Sequence, residues 1–124
     1  MQTHLDESTG LTRPDRERAE HVLRRCVHCG FCNATCPTYA VTGNELDGPR
    51  GRIYLIKQAL ETGTATRLTQ RHLDRCLTCM ACETTCPSGV RYHELLDVGR
   101  TFVDARVRRP WRDGLLRRAL RTVV

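Results

Sequence analysis

The sequence predicts a mostly α-helical fold made of two similar halves built around inorganic centres. Three observations lead there. Eight cysteines stand in two copies of one pattern, Cys26-x2-Cys29-x2-Cys32-x3-Cys36-Pro37 and Cys76-x2-Cys79-x2-Cys82-x3-Cys86-Pro87, with no cysteine outside them. Stretches of helical hydrophobic periodicity flank each copy. The ordinary core is thin, because hydrophobic residues reach 40% but eight of them are cysteines, and aromatic residues are only 5%. Metal centres and their thiolates then replace part of the core, so that folding depends on them.

The spacing selects the chemistry. A cubane cluster presents four irons, each needing one thiolate, and three cysteines at intervals of three let a tight loop curl round one face. The fourth ligand must come from the far side. In two-cluster proteins the fourth cysteine of each run crosses to the other cluster. The expected cofactors are therefore two [4Fe–4S] clusters. Cys26, Cys29, Cys32 and Cys86 are assigned to one, and Cys76, Cys79, Cys82 and Cys36 to the other. The swap ties the halves together and holds the clusters close enough to pass single electrons. Three rivals fit less well. Disulfides suit a secreted chain, and Met1 to Gly10 has no apolar stretch for a signal peptide. Zinc prefers four ligands as two separated Cys-x2-Cys pairs, and a redox dithiol needs only one such pair.

The formal charge is +6, carried by arginine, since Lys57 is the one lysine among 20 basic residues. Each cluster with its four thiolates contributes about −2, which brings the net charge to about +2. Much of the basicity then balances buried anions, and Arg24, Arg25, Arg75 and Arg91 lie beside the cysteines in sequence. No apolar run approaches the roughly 18 residues of a membrane span. A cytoplasmic location is expected, where thiols stay reduced.

Three regions follow. Residues 1–13 read as a flexible polar arm, 14–106 as the two-cluster domain, and 107–124 as a basic amphipathic tail. A first helix begins near Pro14, with Ala19, Val22 and Leu23 on one face, and delivers the chain to Cys26. In the first ligand loop Gly30 lets backbone approach a cluster, and Val27 and Phe31 keep water away. Thr38 to Asp47 reads as irregular. A second helix starts at Pro49, capped by Asp47 or Gly48, and ends at Gly63, with Ile53, Leu55, Ile56, Ala59 and Leu60 inward. A short helix over 69–74 leads to Cys76. Glu94 to Arg106 closes the unit, with Leu95, Val98, Phe102 and Ala105 at helical spacing. The two runs form a loose repeat, pairing Val27 with Leu77, Gly30 with Met80, Phe31 with Ala81 and Thr35 with Thr85. The long helical link between the runs implies an α-helical ferredoxin domain with two pseudo-symmetric cluster-binding loops. In the tail, Leu115, Leu116, Ala119, Leu120 and Val123 make one stripe, and Arg112, Arg117, Arg118 and Arg121 lie elsewhere. Such a helix packs on the rest of a larger protein or lies on a membrane surface. The stripe is unfinished at Val124, which reads as the start of a missing C-terminal region.

Cys26 to Tyr39 (CVHCGFCNATCPTY), Leu46 to Ile53 (LDGPRGRI) and Cys76 to Val90 (CLTCMACETTCPSGV) together resemble the iron–sulfur subunit of bacterial glycolate oxidase. The likeness runs from about Arg18 to Arg106, and all eight cysteines match. It implies flavin-containing partner subunits that oxidise glycolate to glyoxylate. This subunit would relay their electrons to a quinone-type acceptor, from the cytoplasm or the inner face of the membrane. The cysteine runs alone are also similar to those of lactate-utilisation, anaerobic glycerol-3-phosphate dehydrogenase and heterodisulfide reductase subunits. The family continues into two cysteine-rich repeats that this chain does not contain.

No catalytic triad, phosphate loop or paired acid stands out, so no substrate site is expected in this chain. His28, inside the first run, is read as a hydrogen-bond partner of cluster sulfur rather than a ligand. Arg50 and Arg52 are candidates to balance cluster charge or to grip a partner. Tyr54 and Tyr92 are read as core that shields the clusters. A zinc-stabilised nucleic-acid-binding module is the reading from another class; the arginine excess favours it, and the lack of basic patches with interleaved aromatics opposes it.

Overall fold

A computed structural model describes residues 1–123, apart from the Arg121 side chain. The Val124 end of the tail and Arg121 in its polar face therefore lie outside the described residues. Helices and short 3-10 turns make up the described chain, with no strand among them. The helices are α1 (Arg13–Arg25), α2 (Pro37–Thr42), α3 (Pro49–Thr62), α4 (Arg67–Asp74), α5 (Ala81–Thr84), α6 (Tyr92–Arg106) and α7 (Trp111–Val123).

Four helices make the core. Ala19, Val22 and Leu23 of α1 and Ile53, Ile56, Ala59 and Leu60 of α3 are buried, as the periodicity of those segments predicts. Leu73 of α4 and Leu95, Val98 and Phe102 of α6 complete the cluster, while Ala105 faces outward. Thr12 caps α1 by accepting from the Asp15 N–H, and Pro14 occupies its first turn. Gly48 precedes Pro49 at the head of α3, and Gly63 ends that helix at φ 69°. α4 and α6 each begin two residues earlier than the periodicity suggests, the first because Thr66 caps it by accepting from the Thr69 N–H.

The structure corrects two boundaries. Residues 1–13 are not a loose arm. The Met1 ammonium donates to the carbonyls of Leu23 and Cys26, Thr3 donates to Glu61, and Arg106 donates to the Thr9 carbonyl. Leu5 joins the core, and Thr3 and Thr9 are buried. Polar composition hid this because the anchoring bonds run to residues far along the chain. Nor is Thr38 to Asp47 irregular. It forms α2, closed by Gly43 at φ 63°, and a 3-10 turn at Glu45–Asp47 capped by Asn44. In the tail, every described side chain of α7 is exposed, including Trp111, Leu115, Leu116 and Leu120. The residues before it are held down, since Arg109 bridges Asp74 and Asp104, and Gln70 donates to the Val107 carbonyl.

Candidate metal centres

The two ligand loops share one backbone. His28 and Thr78 sit at equivalent places and take φ 61° and 54°; Gly30 and Met80 do the same at 88° and 57°. Positive φ is uncommon outside glycine, so finding it at both places of both loops marks a geometry that the cysteine spacing imposes. Alternating left-handed residues turn successive N–H groups inward and form a nest for an anionic group. The His28 N–H works in this sense against the burial that raises the Cys26 thiol. The loops meet where the Thr35 hydroxyl, and its counterpart in the repeat, Thr85, both donate to the Ala81 carbonyl, each at 3.3 Å.

All eight cysteines are free. They surround two adjoining cavities of about 430 and 310 Å³, counting their open mouths. Cys26, Cys29, Cys32 and Cys86 line the first. Cys36, Cys76 and Cys79 line the second. Cys82, Pro49 and Tyr92 form the wall between them and touch both. Among the described residues no three Cys, His, Asp or Glu side chains are grouped to hold a single ion. Sulfurs spread round a void suit a polynuclear group with its irons at the corners.

The first turn of α3 is a wedge between the cavities. Residues two apart on a helix do not share a face, so Arg50 lines the first cavity and Arg52 the second. Gly51 lies between them because a Cβ there would fall 2.1 Å from the Glu45 carbonyl oxygen. Only glycine lets the 45–47 turn press against the helix. Arg50 pairs with Glu45, which also accepts from Asn33. Arg52 is 1% exposed. Its guanidinium donates to the His72 carbonyl at 2.7 Å and to the Thr38 hydroxyl at 3.1 Å, and lies 3.9 Å from the Cys36 sulfur. Asp47, wholly buried, accepts from His72 at 2.7 Å and from Arg75 at 2.8 Å. Burial pushes its carboxyl up, but His72 and Arg75 hold it below the usual carboxylate range.

The thiols differ according to these surroundings. Burial pushes Cys32 up to about 11 and Cys82 to about 12, with neighbouring cysteines adding to the shift. Cys26 is raised for the same first reason. Cys36 goes the other way. Burial raises it, but the Thr38 hydroxyl, the Tyr39 and Thr38 N–H groups and Arg52 more than offset this. Thiolates that are costly alone in such a place are stabilised when metal takes the place of the proton.

The remaining expectations divide. Tyr92 is buried, and its hydroxyl lies 3.8 Å from the Cys76 sulfur. Tyr54 is half exposed, with its ring edge-on to that of His28. The His28 ring lines the first cavity, and its buried Nδ1 has no partner in the protein. Val27 lines the same cavity but is 67% exposed, and Phe31 stands outward. Arg24, Arg75 and Arg91 pair with Glu20, Asp47 and Glu94, and Arg25 donates to the Ser88 carbonyl, and among the described residues none of the four donates to a cysteine sulfur. Arg52 takes the role given to them. Sequence reasoning missed Thr38, Asp47 and His72. One signal was available, because the buried face of α4 carries Thr69, Gln70 and His72 beside Leu73, and polar groups at core positions need partners.

Comparison with known proteins bears on the same cysteines. The chain is 62% identical, over all 124 residues, to the glycolate oxidase iron-sulfur subunit of Escherichia coli (strain K12), covering 30% of that protein. It is 39% identical over 87 residues, 68% of this chain, to the probable glycolate oxidase iron-sulfur subunit of Bacillus subtilis (strain 168), covering 19% of it. The chain thus spans less than a third of the length of these relatives. No solved structure matches it. Residues 22–90, which hold both cysteine runs and the α3 wedge between them, match the 4Fe-4S dicluster domain. Two sulfur-lined cavities, two loops of matched left-handed backbone and that match agree on two [4Fe–4S] clusters, and the chain belongs to the 4Fe-4S dicluster domain family.

Proposed function

We propose that this chain is the electron-carrying part of a flavin-dependent glycolate oxidase. Flavin-containing partner subunits oxidise glycolate to glyoxylate, removing two electrons, and this chain passes those electrons singly towards a quinone-type acceptor. The observation that carries the reading is the 62% identity along the whole chain to a protein of that name. The work takes place on the cytoplasmic side, at the inner face of the membrane where a quinone is reached. No described helix is long and apolar enough to cross a membrane.

In this reading Cys26, Cys29, Cys32 and Cys86 hold one cluster, and Cys36, Cys76, Cys79 and Cys82 the other. The lining of the two cavities supports it, because the fourth cysteine of each run faces the cavity of the other run. When bound, the clusters supply reversible one-electron storage. The protein's share is to hold them adjacent, to bury part of their thiolates and to place fixed charge beside them.

The test is low-temperature EPR on the chain co-expressed with its flavoprotein partners and purified without oxygen. Reduced [4Fe–4S] signals should appear on adding glycolate. Signals that appear with dithionite but not with glycolate would overturn glycolate as the donor.

A further inference from the structure

The two cavities carry the same number of cysteine ligands and unequal charge. Beside the second stands Arg52, buried, with its guanidinium 3.9 Å from the Cys36 sulfur. Asp47 does not cancel it. The Asp47 oxygens are engaged by His72 and Arg75, and the nearest Arg52 nitrogen is 4.0 Å away. Two guanidiniums and one carboxylate leave a net positive charge there. The Tyr92 hydroxyl, 3.8 Å from the Cys76 sulfur, adds a donor to the same set. Beside the first cavity the cations are paired or stand at the surface, where water screens them, as Arg25 does on the Ser88 carbonyl. Arg50 is partly exposed and paired with Glu45. The Met1 ammonium bonds to main-chain carbonyls beside an open cleft. The His28 ring lines this cavity, and its buried Nδ1 has no partner in the protein.

We propose that Arg52 makes the centre held by Cys36, Cys76, Cys79 and Cys82 the more easily reduced of the two, so that electrons collect there. This rests on the ligand assignment above. Adding one electron raises the negative charge of a centre by one. A fixed cation stabilises the more negative form, and a buried one acts without screening by salt or water. Hydrogen bonds to the sulfurs act in the same direction. Burial of Cys36 and Cys82 opposes the effect, but Cys82 borders both cavities and so separates them little.

The experiment is a mediated titration with dithionite, followed by EPR, on the anaerobically purified chain with both clusters bound. Cys29→Ser and Cys79→Ser mark which signal belongs to which centre. In the unaltered chain the step at higher potential should be the one that Cys79→Ser changes. Arg52→Gln should lower that step by at least tenfold in the reduction equilibrium, about 59 mV for one electron, and leave the other in place. Arg52→Lys should stay close to the unaltered value. If Cys29→Ser marks the higher step, or if Arg52→Gln moves neither step or both alike, the inference is overturned. Should Arg52→Gln lose its clusters, the order of the two steps in the unaltered chain still decides. The ligand assignment fails separately, if Cys36→Ser changes the signal that Cys29→Ser changes.

Discussion

The two ligand loops repeat one backbone, and the ground around them does not repeat. His28 matches Thr78 and Gly30 matches Met80 in their left-handed geometry, yet Arg52, with Asp47 and His72 beside it, serves the second cavity while the Arg50–Glu45 pair stands at the first. Local spacing therefore builds two similar cradles, and residues outside the repeat make them unequal. A pair of identical centres would give an electron no preferred resting place; unequal surroundings supply one.

The largest way to break the comparison is to remove a ligand. Cys79→Ser should leave about half the iron and abolish substrate-driven acceptor reduction; full iron content with normal turnover would deny Cys79 a ligand role. Next comes the wedge. Gly51→Ala drives a Cβ into the Glu45 carbonyl and should destabilise the holoprotein by about 3 kcal/mol. An unchanged thermal midpoint would show that the turn and α3 are not pressed together. Tyr92→Phe keeps the buried ring and removes the hydroxyl near Cys76. It should lower the same reduction step as Arg52→Gln, by less, and an equal fall in both steps would contradict the placing of that hydroxyl.

Two smaller effects sharpen the contrast between partly buried and exposed charge. Burial raises the Asp74 carboxyl, but Arg109 more than offsets this and holds it below its ordinary value. Its stabilising share is complete above the ordinary carboxylate range and is lost as pH falls through the lowered value. Asp74→Asn should cost about 1 kcal/mol near neutral pH, and the gap from the unaltered chain should close in acid. A gap that stays constant with pH would remove the ion pair from the explanation. Arg24→Ala, by contrast, breaks an exposed pair with Glu20 and should change the thermal midpoint of unfolding by no more than about 0.5 kcal/mol implies.

Much of the helical framework was legible in advance. α1 and α3 bury the apolar stripe that their periodicity marks, α6 does so except at Ala105, and Pro49 and Gly63 bound α3 where the residue types require. Segments held by distant partners were not. The N-terminal residues look loose because nothing local shows that Thr3 meets Glu61 or that Arg106 reaches Thr9. At the site, Arg52 and Arg50 are two residues apart in one short block and look alike in sequence. One helical twist sends them to opposite cavities, and only one becomes buried.

The sequence by itself determined that there are two cysteine quartets, that each curls as a tight loop, and that iron–sulfur clusters suit them better than zinc or disulfides. Those properties follow from covalent spacing, which folding cannot alter. Only the tertiary structure decided which charges stand beside which sulfurs. Arg52 reaches Cys36 across 16 positions, and Asp47 meets His72 across 25. Electrostatic influence depends on distance through space and on burial, and neither can be read along a chain until the helices have packed.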